Sequence, residues 1–291
     1  MTLHTTAVTV ALGIALFTNA PAADRASGAV VVSRQGTIRV TNATAYVVRD
    51  QRNARQMQTE LLLSDVVVDP TAIRASLNPH MEAINVDALK DRNYVLLWVR
   101  PDGSVSMNAT FSKTMTQFID DTSGGLRVTW TTNSASRLEG RLVTAAPVKT
   151  MDGTTYTVDL TFGVDVPAAP VGTALPAGGG EAGRALLALL DAANRKNWTG
   201  IRAASSPGAL KTFDKSYNSP AENAADAADL LKAWLPVDKM KIAGGQLRGD
   251  VAILDVEGEM FPGQMSLSLA RMVNIGGTWL FDQAARAGMV K

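Results

Sequence analysis

The chain has 291 residues, with 28 Lys and Arg set against 27 Asp and Glu, two histidines and no cysteine. Balanced charge with no basic run or patch argues against nucleic acid as a partner, and no basic amphipathic stretch addresses a membrane surface. Without cysteine there is no disulfide, thiol nucleophile, zinc finger or iron–sulfur cluster, and two histidines cannot build a His-based metal cluster; no cofactor is implied.

The apolar stretch from Ala7 to Phe17, bounded by Thr18-Asn19 and followed by Ala20-Pro21-Ala22, predicts a secretory signal peptide over 1–22. Small side chains at Ala20 and Ala22 suit signal-peptidase pockets, so the mature chain is expected to begin at Ala23. Its entry region carries His4 but neither Lys nor Arg. The apolar core falls well short of the ~20 residues that a spanning helix needs, and no later stretch reaches that length. The expected product is therefore exported and soluble, without membrane insertion of the mature chain. Richness in alanine and glycine suggests a bacterial periplasm or the external medium. About 270 residues remain after cleavage, enough for two domains of ~100–150 residues.

Residues 28–166 read as strands. Val30-Val31-Val32, then 37–48, carry small and apolar residues alternating with polar ones, whereas Leu61-Leu62-Leu63-Ser64-Asp65-Val66-Val67-Val68 predicts a strand buried on both faces. Tyr94–Val99 and Ser104–Phe111 flank Arg100-Pro101-Asp102-Gly103, a strong hairpin signal. Further strands are expected at 126–131, 137–143 and 154–162. Asp69 and Pro70 mark an N-cap and first helical position, and a second short helix is expected at 86–90. Seven or more short strands predict a mainly antiparallel β domain, a sandwich or a barrel. His80 reads as a structural loop residue, and Asp120-Asp121 as part of a solvated loop rather than a calcium site.

Residues 167–180, rich in Pro, Ala and Gly, predict an interdomain linker, extended at first and flexible at Gly178-Gly179-Gly180. From 181 to 291 the pattern changes. Helices are expected over 181–196, with Leu186, Leu187, Leu190 and Ala193 on one face, at 198–202, and over 221–235, with Ala224, Ala227, Ala228, Leu231 and Leu235 inward. Strands follow at 240–247, 251–259, 264–273 and 278–282, an α+β layout with a sheet closing over helices.

The leading helix with Asn197-Trp198, the Gly249-Asp250-Val251-Ala252 turn into a strand, and the final Gly276-Gly277-Thr278-Trp279-Leu280-Phe281 hairpin resemble the NTF2-like (cystatin-like, SnoaL-type) α+β cone. The resemblance covers the last 110 or so residues and none of the first domain. It implies a cone used variously by isomerases and cyclases, by ligand-binding modules and by assembly domains.

No catalytic grouping stands out. Asp214 and Tyr217 are the candidates for proton transfer at a cone mouth, an acid beside a phenol. Trp198, Trp234 and Trp279 are possible pocket aromatics. Asp255, Glu257 and Glu259 share a strand face with Val251 and Ile253, read as a solvated outer face opposite a core of Ala252, Leu254 and Val256. The leading expectation is a non-catalytic binding or interaction protein, taking an unknown protein or small-molecule ligand. The alternatives are a cofactor-free isomerase- or cyclase-type enzyme working in the cone, and a self-assembling module of an envelope complex, such as a homodimer through the open face of the C-terminal sheet.

Overall fold

The computed structural model describes residues 24–114, 116–121, 125–150, 153–236 and 238–291. The expected signal peptide lies outside the described residues.

In the first half, β1 (Arg25–Val32), β2 (Gly36–Arg39), β3 (Asn42–Asp50) and β4 (Asn53–Ser64) precede two short helices, α1 (Pro70–Ala75) and α2 (Pro79–Asn85). A 3-10 turn at Asp87–Leu89 leads to β5 (Tyr94–Val99), β6 (Val105–Phe111), β7 (Thr116–Asp121), β8 (Leu126–Asn133), β9 (Arg137–Thr144), β10 (Val148–Lys149) and β11 (Thr155–Asp165). Two antiparallel sheets result. One has the order β2-β1-β11-β9-β8, with β10 beside β11; the other is the meander β3-β4-β5-β6-β7.

Sequence period decides which faces are dry. In β11, Tyr156, Val158, Leu160, Phe162 and Val164 are buried while their neighbours are more exposed, the two-residue alternation of a sheet with one wet face. The meander has no wet face at its centre. Ala45, Leu61, Leu63, Val95 and Leu97 meet the first sheet, whereas Tyr46, Leu62, Tyr94 and Leu96 meet α1, α2 and the 3-10 turn. Of the run expected over 61–68 to be a strand buried on both faces, only Leu61–Ser64 fulfil this; β4 ends at Ser64, and Asp65 to Val67 lie outside the sheet with Val67 exposed.

The strand expected over 37–48 divides at Val40-Thr41. Val40 N–H bonds to Gly28 O in one sheet and Thr41 N–H to Ser64 O in the other, so the chain changes sheets at that corner. Residues 53–60, too polar to read as a strand, extend β4 because their backbone groups pair with β3. Asp120 and Asp121 end β7, while 122–124 lie outside the described residues.

The C-terminal part carries β12 (Thr173–Leu175), α3 (Gly180–Asn194), α4 (Trp198–Ala203), α5 (Pro207–Phe213), α6 (Pro220–Trp234), β13 (Asp238–Arg248), β14 (Val251–Phe261), β15 (Gln264–Ile275) and β16 (Thr278–Met289), in one antiparallel sheet of order β12-β13-β14-β15-β16. Ser219 and Glu222 form a reciprocal capping box that starts α6. Helices α3 and α6 fill one face of the sheet: Leu186, Leu189, Phe213, Leu254, Met272 and Phe281 are fully buried there. Each such side chain contributes roughly 1.5–3 kcal/mol. The buried stripe of α3 is Ala182, Leu186, Leu189 and Ala193, not the expected one through Leu187, which is half exposed. The stripe rotates because α3 lies under both β14 and β16.

Part of the expected linker is hydrogen-bonded to the C-terminal sheet. Thr173–Leu175 pair with Leu247–Gly245 as an edge strand, and Gly178 N–H bonds to Ile242 O.

The opposite face of this sheet is not solvated as its acids suggested. Arg49 from β3 binds Asp255 at 2.8 Å, while Arg55 from β4 and Lys241 from β13 each reach Glu257 at 3.0 Å. The turn between β3 and β4 lies directly on β16, where Met289 N–H bonds to Gln51 O. Gly288 permits that approach: it has φ +144°, and a Cβ there would sit 2.7 Å from Gln51 O. Part of the sheet face expected to be open for self-association therefore carries the chain's own first half.

Candidate functional site

The site begins with three side chains abreast on the meander. Glu60 of β4 is the direct cross-strand partner of Tyr46 on β3 and of Trp98 on β5, so all three project from the same face. Above them, Asn78 caps α2 by accepting a hydrogen bond from Met81 N–H, and Pro79 occupies its first position. That geometry places His80 in the first turn, over Glu60.

Glu60 is the most deeply buried carboxylate among the described residues, with its side chain 1 % exposed. A charge in that position has to be compensated by hydrogen bonds. Trp98 Nε1–H donates to Oε1 at 2.7 Å, and His80 Nδ1 meets Oε2 at 3.0 Å. The His80 and Trp98 rings lie tilted with centroids 6.1 Å apart. The hydrogen bond to Glu60 raises the His80 pKa above its ordinary 6.5; burial opposes this, and the Glu60 charge adds to it. Among the described residues Tyr46 Oη makes no hydrogen bond of full geometry, with Glu60 its charged neighbour. Burial first, and then the neighbouring Glu60, hold its phenol well above the ordinary tyrosine range.

His80 opens onto a cleft of about 360 Å³ where the two halves of the chain meet. The first half supplies Arg49, Met57 and the segment Arg74–His80; the second supplies Gln246, Arg248, Ile253, Asp255 and Leu269; Ala169 and Pro170 close one side. A second hollow of about 340 Å³ adjoins it, sharing Gln51, Asn78, His80, Arg286 and Ala287 and walled by Met81, Phe261, Met265 and Met289. The imidazole thus stands between two hollows, held at Nδ1 with Nε2 bonded to no described residue.

Chemically, a carboxylate that fixes Nδ1 and orients the ring is the arrangement of a general acid–base histidine. No nucleophile is bonded to it among the described residues. Ser76 lines the same cleft, but its Oγ accepts from Asn78 N–H instead.

The residues singled out in sequence lie elsewhere. Asp214 follows α5, accepts a hydrogen bond from Asn223 Nδ2 at 3.3 Å and stands 3.8 Å from Arg202. Tyr217 is 81 % exposed. Trp198, Trp234 and Trp279 are half-buried against the core between the helices and the C-terminal sheet, with Trp234 stacked near Phe213. None of these five residues lines the two hollows. The space a cone would enclose is occupied by side chains, apart from a crevice of about 130 Å³ between α3 and α6.

His80 was visible in sequence as a single imidazole; its partner Glu60 was not, since it sits in a polar run whose neighbours gave no strand signal. Among the described residues no group of three or more His, Asp or Glu is placed to hold a metal ion, and no helix is long and apolar enough to cross a membrane. Compared with known proteins, the chain matches no family model, no curated protein and no solved structure.

Proposed function

We propose that this chain is an exported, non-catalytic binding protein whose ligand occupies the cleft between the N-terminal sandwich and an NTF2-like C-terminal domain. The observation that carries the reading is the cleft itself: two halves and the segment between them contribute to one hollow, within the ~300–1,000 Å³ typical of ligand sites. Its lining combines apolar side chains with a comparable number of polar and charged ones, groups able to orient a small ligand. Ion pairs and the contact at Gly288 hold the walls in register. The order of helices followed by an antiparallel meander supports the NTF2-like assignment.

The test is ligand-observed NMR with a small-molecule fragment library against the wild type and a Gln246→Trp variant, which fills the cleft. Fragments that lose binding in the variant support the reading. A library whose hits bind both proteins equally refutes it. Export is tested separately, by sequencing the mature N-terminus, which should start at Ala23.

One observation favours a second reading. The Glu60–His80 pair places an oriented imidazole in the cleft, so cofactor-free acid–base chemistry would be carried there, with Asp214 and Tyr217 uninvolved. Turnover that disappears in His80→Gln but persists in Tyr217→Phe would establish it over simple binding. Self-assembly, the third possibility, would have to use surfaces other than the part of the C-terminal sheet that β3 and β4 cover.

A further inference from the structure

The charges around the cleft do not cancel. Arg49, Arg74, Arg248 and Arg286 line it, against the carboxylates of Glu60 and Asp255. Both acids are already engaged, since Glu60 accepts from Trp98 and His80, and Asp255 accepts from Arg49. Arg286 directs its Nε–H to Ala233 O at the end of α6.

Among the described residues three of these guanidinium groups, Arg74, Arg248 and Arg286, have no carboxylate partner, and Arg74 and Arg248 come from different halves of the chain. Arg74 gives one hydrogen bond, from Nη2 to Ala45 O at 3.3 Å. Arg248 uses its Nη2 for Pro170 O and Gln246 Oε1, both at 2.7 Å. Each bond fixes a guanidinium through one nitrogen to an uncharged acceptor and leaves other N–H donors unused, because arginine carries five in a planar fork. Arg74 belongs to α1 and Arg248 to β13, and both line the cleft. His80 adds a third donor in its protonated form.

We infer that the cleft selects an anion: a small molecule with a carboxylate or phosphate group, held between Arg74 and Arg248. This rests on the reading of the cleft as the binding site. Planar, bidentate N–H···O pairing is what the guanidinium offers to both anion types, so the shared chemistry is an oxyanion of either kind.

The experiment uses the full mature chain and four probes: inorganic phosphate, succinate, its neutral analogue succinamide, and benzyl alcohol as an apolar probe. Binding is followed through the imidazole signals of His80 and the indole N–H of Trp98, in wild type and in an Arg74→Gln/Arg248→Gln double variant. An unchanged amide spectrum away from the cleft confirms that the variant is folded. The expected result is that succinate, phosphate or both shift these signals, that succinamide does not, and that the double variant binds the anion about tenfold or more weakly. A response to phosphate alone identifies a phosphoryl ligand, and a response to succinate alone a carboxylate. Succinamide binding as well as succinate, or a double variant with undiminished anion affinity, overturns the inference. If benzyl alcohol shifts the signals and no anion does, the anion inference falls while the cleft stands as a site. If none of the four probes shifts them, both fall.

Discussion

Replacing Glu60 by Gln tests whether a buried carboxylate governs the state of His80. The substitution keeps shape and one acceptor oxygen, which can still take the 2.7 Å hydrogen bond from Trp98. The other position becomes an NH2 facing the Nδ1 that now lies 3.0 Å from Oε2. An imidazolium would then present a donor to a donor, so the neutral ring with Nδ1 as acceptor becomes the favoured form. The His80 pKa, raised in the wild type by the Glu60 hydrogen bond against the opposing effect of burial, should fall below 6.5 once only burial remains. One charge-assisted hydrogen bond is lost, worth about 1.5–3 kcal/mol, and the variant no longer buries a charge, so a net cost of about 1–2 kcal/mol is expected under acidic conditions. The sign follows from linkage. A raised folded-state pKa stabilises fully below the unfolded value of 6.5, and the contribution fades as pH rises through the folded value. The gap between wild type and variant should therefore be wider at pH 5.5 than at pH 9. Proton NMR titration of the imidazoles measures the pKa directly, with at most two signals because His4 and His80 are the only histidines. Urea unfolding at the two pH values measures the gap. A wild-type His80 titrating at or below 6.5, or the same pKa in both proteins, would refute the reasoning.

Three further outcomes are expected. For Glu257, burial pushes the carboxyl pKa up, but the hydrogen bonds and charges of Lys241 and Arg55 outweigh it and leave it below the ordinary 4.5. Its contribution is present above 4.5 and lost as pH falls through the lowered value. The protection factor of the Met289 amide, its exchange corrected for the intrinsic pH dependence, should fall on acidification, and less steeply in Glu257→Gln; identical pH profiles would count against this. Gly288→Ala should cost about 1–3 kcal/mol by thermal unfolding, from a positive φ and the clash with Gln51, whereas Tyr217→Phe should stay within about 0.5 kcal/mol. Phe281→Ala, removing a fully buried ring stacked 6.0 Å from Phe213, should cost about 3–5 kcal/mol in chemical denaturation; a cost under about 1 kcal/mol would mean that this core is not packed as described.

The sequence by itself determined the elements whose signals are local. The Asp102-Gly103 turn produced the β5–β6 hairpin, Asp69 and Pro70 started α1, and Ala224, Ala227, Ala228 and Leu231 turned one face of α6 inward. The apolar run at 61–68 announced a strand dry on both sides, and its first four residues form one. These signals persist because turn torsions, caps and hydrophobic period act over a few residues. Long-range docking obeyed no such pattern. The acids Asp255 and Glu257 looked solvated on β14 because their partners, Arg49 and Arg55, lie some 200 residues earlier, and no period links the two. For the same reason Glu60 was concealed in a polar stretch until pairing with β3 and β5 set it between Tyr46 and Trp98, and α2 brought His80 over it. The sequence could place one imidazole in the first half of the chain. Only tertiary packing decided that it would stand in a cleft, against a buried carboxylate, because burial and partnership are properties of the assembled layers rather than of any segment.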